Sequence, residues 1–276
     1  MGNAELRSIH VHPVKAFRAL SVREAVVEPW GPAGDRRWAL IDDGGKVVTQ
    51  RRQPRLALAV AELAPGGGLR LSAPGMPPLE VAVPEPAGTV TIDVFDTTVE
   101  SVLADSSAHE WCSAYLGAAV RLVHLDDPAT RRPVDPEYAL PGETVSLADA
   151  FPLLVTTTAS LDALNELIAR GDRADEGPLP MNRFRPNLVV TGTTAWEEDS
   201  WTRVAVGEVV FRVATTCGRC LVTTTDQDTG GRGKEPLRTL TRHRRIGSRA
   251  VFGQYLVPLA PGTVRVGDPV RVLARG

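Results

Sequence analysis

Apolar residues in the first hundred positions fall into short runs, at 6–11, 22–27, 38–41, 56–60, 69–71, 79–83 and 99–102, with Gly and Pro between them. Breaks at intervals of about 8–12 residues mark an antiparallel barrel or sandwich. Asp42-Asp43-Gly44-Gly45 reads as a hairpin turn between two such runs. From Ser106 to Gly117 the apolar period becomes helical, with a Ser cap at the start and a closing Gly. A strand at 120–123 follows. The 126–144 segment then carries four prolines and few apolar residues, which predicts an irregular loop. Loops of that length inside compact domains often serve as functional lids.

The second half returns to short apolar runs at 153–156, 188–191, 204–206, 209–214, 221–224, 251–257 and 270–273. Ser160 is the expected cap of a helix that places Leu161, Leu164, Leu167 and Ile168 on one face. Pro236 suits the first turn of a short helix ending before Gly247. The expected fold class is α+β and strand-dominated, two barrels side by side with peripheral helices. The first unit is placed at 1–124 and the second at 125–276.

With 276 residues, a net charge of −2 and a pI near 6.2, the chain lacks the basic excess of a nucleic-acid-binding surface. No apolar run reaches the roughly 18 residues needed to span a bilayer. The opening MGNAELRSIHVHPVK has no signal-peptide layout, and Leu6 breaks the myristoylation pattern. A soluble, cytoplasmic protein with no membrane partner is expected. Three cysteines cannot build a disulfide framework, nor supply the four thiolates of an all-cysteine iron–sulfur cluster.

Two of those cysteines stand in Cys217-Gly218-Arg219-Cys220. A redox disulfide wants this motif at a helix start, and a zinc site wants a second ligand pair. A single thiolate binding a cofactor-borne metal needs only one of the two. The residues alone leave these readings open, together with two partly buried, inert thiols. Gly230-Gly231-Arg232-Gly233-Lys234 lacks the Ser or Thr of a phosphate-binding loop, and Asp226-x-Asp228-x-Gly230 is too short for a calcium loop, so both are turns. Asp35 and Arg36 taken alone read as a surface charge pair. In Arg183-Phe184-Arg185-Pro186-Asn187, Arg185 and Asn187 share a face; guanidinium forks match phosphate oxygens, and an amide matches a heterocycle edge.

Taken in order, several segments resemble the two-domain MOSC proteins, with the amidoxime-reducing components and their bacterial counterparts as near relatives. They are His12-Pro13-Val14-Lys15, Asp35-Arg36-x-Trp38, Arg183 to Asn187, Glu198-Asp199-Ser200-Trp201, Cys217-x-Arg219-Cys220 with Thr224-x-Asp226-x-x-Thr229-Gly230, Phe252-Gly253-Gln254-Tyr255 and Val266-Gly267-Asp268. The resemblance covers about residues 6 to 273. It implies an N-terminal β-barrel domain packed on a MOSC β-barrel, with molybdenum cofactor (a metal-bearing pterin phosphate) held between them. Cys220 matches the family's metal-ligating, catalytic cysteine. Lys15, Arg36, Arg185, Asn187, Arg219 and Tyr255 match its cofactor-holding positions, and Thr157 aligns with a family serine. Ala16 and Gly218 stand where the family often has Ser, so their backbone N–H groups are the donors left at those places.

The implied activity is reduction of N-hydroxylated substrates, amidoximes or hydroxylamines, to amidines or amines, with the metal cycling between Mo(IV) and Mo(VI). Electrons then come from a separate b-type cytochrome, ferredoxin or flavoprotein reductase. The alternative is a carrier that passes molybdenum cofactor, or a persulfide on Cys220, to another enzyme.

Overall fold

The computed structural model describes residues 3–86, 88–95 and 97–276. Among them the fold is strand-dominated α+β, built on one broad sheet and three smaller ones. The broad sheet runs Val270–Arg275, Trp201–Val206, Val209–Gly218, Arg249–Pro258, Leu153–Thr157, Leu188–Thr191, Glu5–Val11 and Leu20–Val22, with Arg245–Ile246 paired to Arg249–Pro258 off that path. One pair in it is parallel, Leu153–Thr157 with Leu188–Thr191, and the Thr158–Ala169 helix lies on the crossover between them. The two ends of the chain interleave. Glu5–Val11 pairs with Leu188–Thr191, and Glu24–Glu28 pairs with Gly262–Arg265.

Period-2 burial shows in Glu24–Glu28, where Ala25 and Val27 go inward. In Glu5–Val11 a register shift between Leu6 and Ser8 lets Leu6 and Ile9 both face Leu188, Val190 and Phe211. Each fully buried side chain of this kind contributes roughly 1.5–3 kcal/mol. A second core gathers Phe17, Trp38, Leu56, Leu69 and Leu71 under the Ser106–Leu116 helix, whose Trp111 and Tyr115 close it. A third places Leu164 and Ile168 of the Thr158–Ala169 helix against Phe184, Leu240 and Phe252. No helix among the described residues is long and apolar enough to cross a membrane.

Four local expectations differ from what forms. Residues 221–224, β-branched and expected as strand, make a 3-10 turn, Leu221–Thr224, that starts at Cys220. Tertiary demand overrides propensity here, because the chain turns away from the sheet straight after Gly218. Pro54–Leu58 is likewise a 3-10 turn, and the strand begins only at Val60. Asp105, not a serine, precedes the first helix. Thr157, not Ser160, caps the second, its hydroxyl accepting from the Ser160 N–H. The 126–144 segment is mostly irregular, as expected. It holds a short Pro128–Arg131 helix, Tyr138 packs edge-on to Phe151, and Arg132 donates to the carbonyls of Ser146, Ala148 and Asp149.

Glu198 carries a prediction about stability. It is fully buried, and its Oε2 accepts from the Thr157 and Ser160 hydroxyls while Oε1 has no partner. Burial raises its pKa above 4.5, outweighing the Ser160 bond. A raised carboxyl stabilises the fold fully below the unfolded value, and that contribution is lost as pH climbs through the folded one. Glu198→Gln is therefore expected to hold thermal stability at neutral pH and to flatten the loss above pH 4.5. Glu198→Ala leaves the buried Ser160 hydroxyl without its acceptor, while Thr157 keeps Ser160 Oγ, and costs about 1–3 kcal/mol in a denaturant titration.

Candidate functional site

A cavity opens between the two halves of the chain. Lys15, Arg36, Arg51, Arg185 and Arg219 line it, five cations against one lining carboxylate, Asp149. Cys217, Gly218, Cys220, Asn187, Phe95, Phe151 and Tyr255 complete the walls that matter here. A chain of net charge −2 thus concentrates positive charge in one place.

Arg36 and Arg185 stand at left-handed bends. Four of the five non-glycine residues with left-handed backbone among those described line this cavity: Ala16 (φ 71°), Arg36 (φ 46°), Phe95 (φ 52°) and Arg185 (φ 53°). Such conformations are uncommon for non-glycine residues and gather at functional sites. The 12–15 segment leaves the first strand and Lys15 turns inward. Its Nζ donates to the Leu147 carbonyl at 2.8 Å and to Asp149 Oδ1 at 2.5 Å. Burial lowers the Lys15 ammonium to about 8, with Asp149 opposing the fall. Asp149 remains about half open to the cavity, at 52% side-chain exposure. Burial alone would raise its carboxyl, but Lys15, Arg51 and Arg36 outweigh that and hold it well below the usual carboxylate range.

Asp35 and Arg36 are not the surface pair that they resemble in sequence. Asp35 is 1% exposed; it accepts from the His12 N–H at 2.7 Å, from Asn187 Nδ2 at 3.2 Å and from Arg36 Nη1 at 2.5 Å. Arg36 also donates to Asn187 Oδ1 at 3.1 Å and to the Arg185 carbonyl. Asn187 therefore has little left for a heterocycle edge. Its oxygen takes Arg36 and the Leu154 N–H, and its amino group serves Asp35 and the His10 carbonyl. It positions Arg36 rather than standing free.

Arg185 lacks a carboxylate partner among the described residues. Its one hydrogen bond is to the neutral Gln227 oxygen at 3.3 Å, and no carboxylate lies within ion-pair distance among the described residues. Burial lowers its guanidinium to about 9, and the nearby Arg36 and Arg219 push it the same way. Arg219 donates to Cys217 Sγ at 2.6 Å and to the Phe184 carbonyl at 2.7 Å, while its Nε is buried without a partner. Like charges of this kind repel by on the order of 1–3 kcal/mol per pair, and an anion in the cavity removes that cost.

The two thiols of the motif differ. Cys217 is 2% exposed, and burial raises it above the ordinary thiol value despite Arg219. Cys220 is only partly buried and lines the cavity, with Arg51 Nη2 at 3.3 Å from its sulfur. All three cysteines are free. Among the described residues no three His, Cys, Asp or Glu side chains cluster as a metal site. Tyr255 lines the cavity with its ring against Phe151 at 4.8 Å.

Lys15, Arg36, Arg185, Asn187, Gly218, Arg219, Cys220 and Tyr255 all come to this one cavity. Thr157 does not: it is fully buried at the helix start, its hydroxyl donating to Ser160 and Glu198. Three lining residues had no signal in the sequence. Arg51 sits in a Gln-Arg-Arg-Gln run that looks like solvated surface, Phe95 stands in a hairpin turn, and Asp149 lies in a loop.

The family model for the MOSC N-terminal beta barrel domain matches residues 3–119, and that for the MOSC domain matches residues 142–271. The chain is similar to the mitochondrial amidoxime-reducing component 1 of Mus musculus, at 34% identity over 96% of this chain and 81% of that protein. The Danio rerio protein of the same name is 35% identical over 94% and 82%, and the Homo sapiens protein 32% identical over 96% and 82%. With both domains matched in order and these relatives along nearly its whole length, the chain belongs to the MOSC family, in the branch that holds the amidoxime-reducing components.

Proposed function

We propose that the cavity holds a molybdenum cofactor, with Cys220 as the protein's ligand to the metal, and that the protein is an oxidoreductase reducing N-hydroxylated substrates. One observation carries this reading: five cations face one carboxylate around a partly open thiol. Arg185, without a carboxylate partner among the described residues, and the unpaired Nε of Arg219 fit an anionic group with several acceptor oxygens, as a pterin phosphate has. The relatives named as amidoxime-reducing components support the substrate class.

In this reading Lys15, Arg36 and Arg185 bind phosphate oxygens by charge-assisted hydrogen bonds. Asp35 and Asn187 hold Arg36 at its bearing, and Tyr255, backed by Phe151, closes one wall against water. When bound, the cofactor supplies the two-electron chemistry that takes oxygen from an N–OH group, and the protein supplies position and charge. Electrons come from a separate donor, a b-type cytochrome, ferredoxin or flavoprotein reductase; the three cysteines of these 276 residues do not make an all-cysteine cluster. The test is elemental analysis of protein made in a host that produces the cofactor, with benzamidoxime reduction by an artificial donor. Stoichiometric molybdenum with turnover is expected. Metal-free protein carrying cyanide-labile sulfur contradicts the reading and favours a carrier.

Lys15 gives the cavity a pH dependence. Its ammonium is protonated below about 8 and loses charge above it. Binding of sulfate, whose charge is constant in this range, to the cofactor-free protein is expected to weaken by up to about tenfold between pH 7 and 9. Lys15→Met should bind more weakly at pH 7 and lose that step in a calorimetric titration.

A further inference from the structure

Arg51 belongs to the first half of the chain, yet its Nη2 lies 3.3 Å from the sulfur of Cys220 in the second. Three features fix it there. The Arg232 guanidinium donates to the carbonyls of Gln50 and Arg51, clamping the backbone from the opposite half. The Arg51 N–H donates to the Thr49 hydroxyl at 3.3 Å. The guanidinium itself rests on the Phe95 ring, 4.6 Å from its centroid, a cation–π contact made possible by the left-handed backbone of Phe95 at the hairpin tip. Lys15 lies over the same ring at 5.0 Å, so Phe95 seats two of the cavity's cations.

We infer that Arg51 is a positioning residue that tunes the metal through its ligand. Its N–H···S bond withdraws charge from the Cys220 sulfur and so favours the more electron-rich, reduced state of whatever metal that sulfur holds. Hydrogen bonds to ligating sulfur raise the reduction potential of a metal centre, and the groups around a ligand are as much part of the site as the ligand. This rests on the reading that Cys220 binds molybdenum, and it adds a residue that no part of the family motif contains.

The test is a redox titration of the molybdenum in the loaded wild type and in Arg51→Lys, Arg51→Gln, Phe95→Leu and Arg52→Gln proteins, beside their metal content. The potential is read only from loaded molecules, so partial loss of metal does not obscure it. It is expected to fall in Arg51→Lys and further in Arg51→Gln, because Lys keeps charge but not the planar fork. Phe95→Leu should lower it by less. Arg52→Gln, at an exposed neighbour paired with Asp42, should leave it unchanged. With an artificial donor, kcat should drop while KM stays within about twofold, the pattern of a change that spares substrate binding. An unchanged potential in Arg51→Gln overturns the inference, as does an equal fall in Arg52→Gln, which would make it an effect of net charge. Wild-type protein that takes up no molybdenum sinks the underlying reading instead.

Discussion

Cys220→Ser is expected to purify as a folded protein without molybdenum and with benzamidoxime reduction at background. Cys220 is partly buried at a cavity wall, and its sulfur contacts the Arg51 guanidinium rather than core side chains. Replacing it removes little packing, so the thermal midpoint should move by no more than a few degrees, as for substitutions away from a core. Cys217→Ser is the contrasting variant. That sulfur is buried and accepts from Arg219 at 2.6 Å, and a serine oxygen can take the same bond. It should keep most of its metal. If Cys217→Ser lost the metal and Cys220→Ser kept it, the ligand would be the other sulfur. If Cys220→Ser unfolded, the motif would be structural. Melting curves and metal analysis of the two variants separate these outcomes.

Arg185→Gln should shift two quantities in opposite directions. In the cofactor-free protein Arg185 is a partly buried cation whose acceptor is a neutral amide, among other cations. Removing it relieves desolvation and repulsion, so the empty protein should gain on the order of 1–2 kcal/mol in a denaturant titration. Retention of the cofactor should fall about 10–100-fold, the loss of a hydrogen bond between charged groups. A variant that destabilised the empty protein and kept its cofactor would show Arg185 to be a structural cation.

Much of the fold was legible because half-buried strands alternate. Ala25 and Val27, buried between the exposed Glu24 and Val26, announce an inward face with no help from the rest of the chain. Pairing was not legible. Nothing in residues 5–11 says that their neighbour is Leu188–Thr191, since that choice is made by long-range packing. The Leu221–Thr224 run had the composition of a strand and turned instead, because the chain leaves the sheet beside Gly218 and presents Cys220 to the cavity.

The same division runs through the site. Lys15, Arg36, Arg185, Arg219 and Cys220 stand in short motifs whose local chemistry is unusual, and the structure brings them to one wall-to-wall cavity. Asn187 was read for the wrong partner: its amide looks available in sequence and is taken up by Arg36, Asp35 and two backbone groups. Arg51, Asp149 and Phe95 gain meaning only from what folds against them. An arginine beside another arginine looks like solvent-facing charge until a sulfur from the far half of the chain arrives within 3.3 Å.

The most direct measurement is an anomalous difference map, recorded at the molybdenum edge from crystals of the loaded protein. The account predicts one strong peak bonded to the Cys220 sulfur, with phosphate density between Lys15, Arg36 and Arg185. A peak on Cys217, or metal bound away from this cavity, would contradict it.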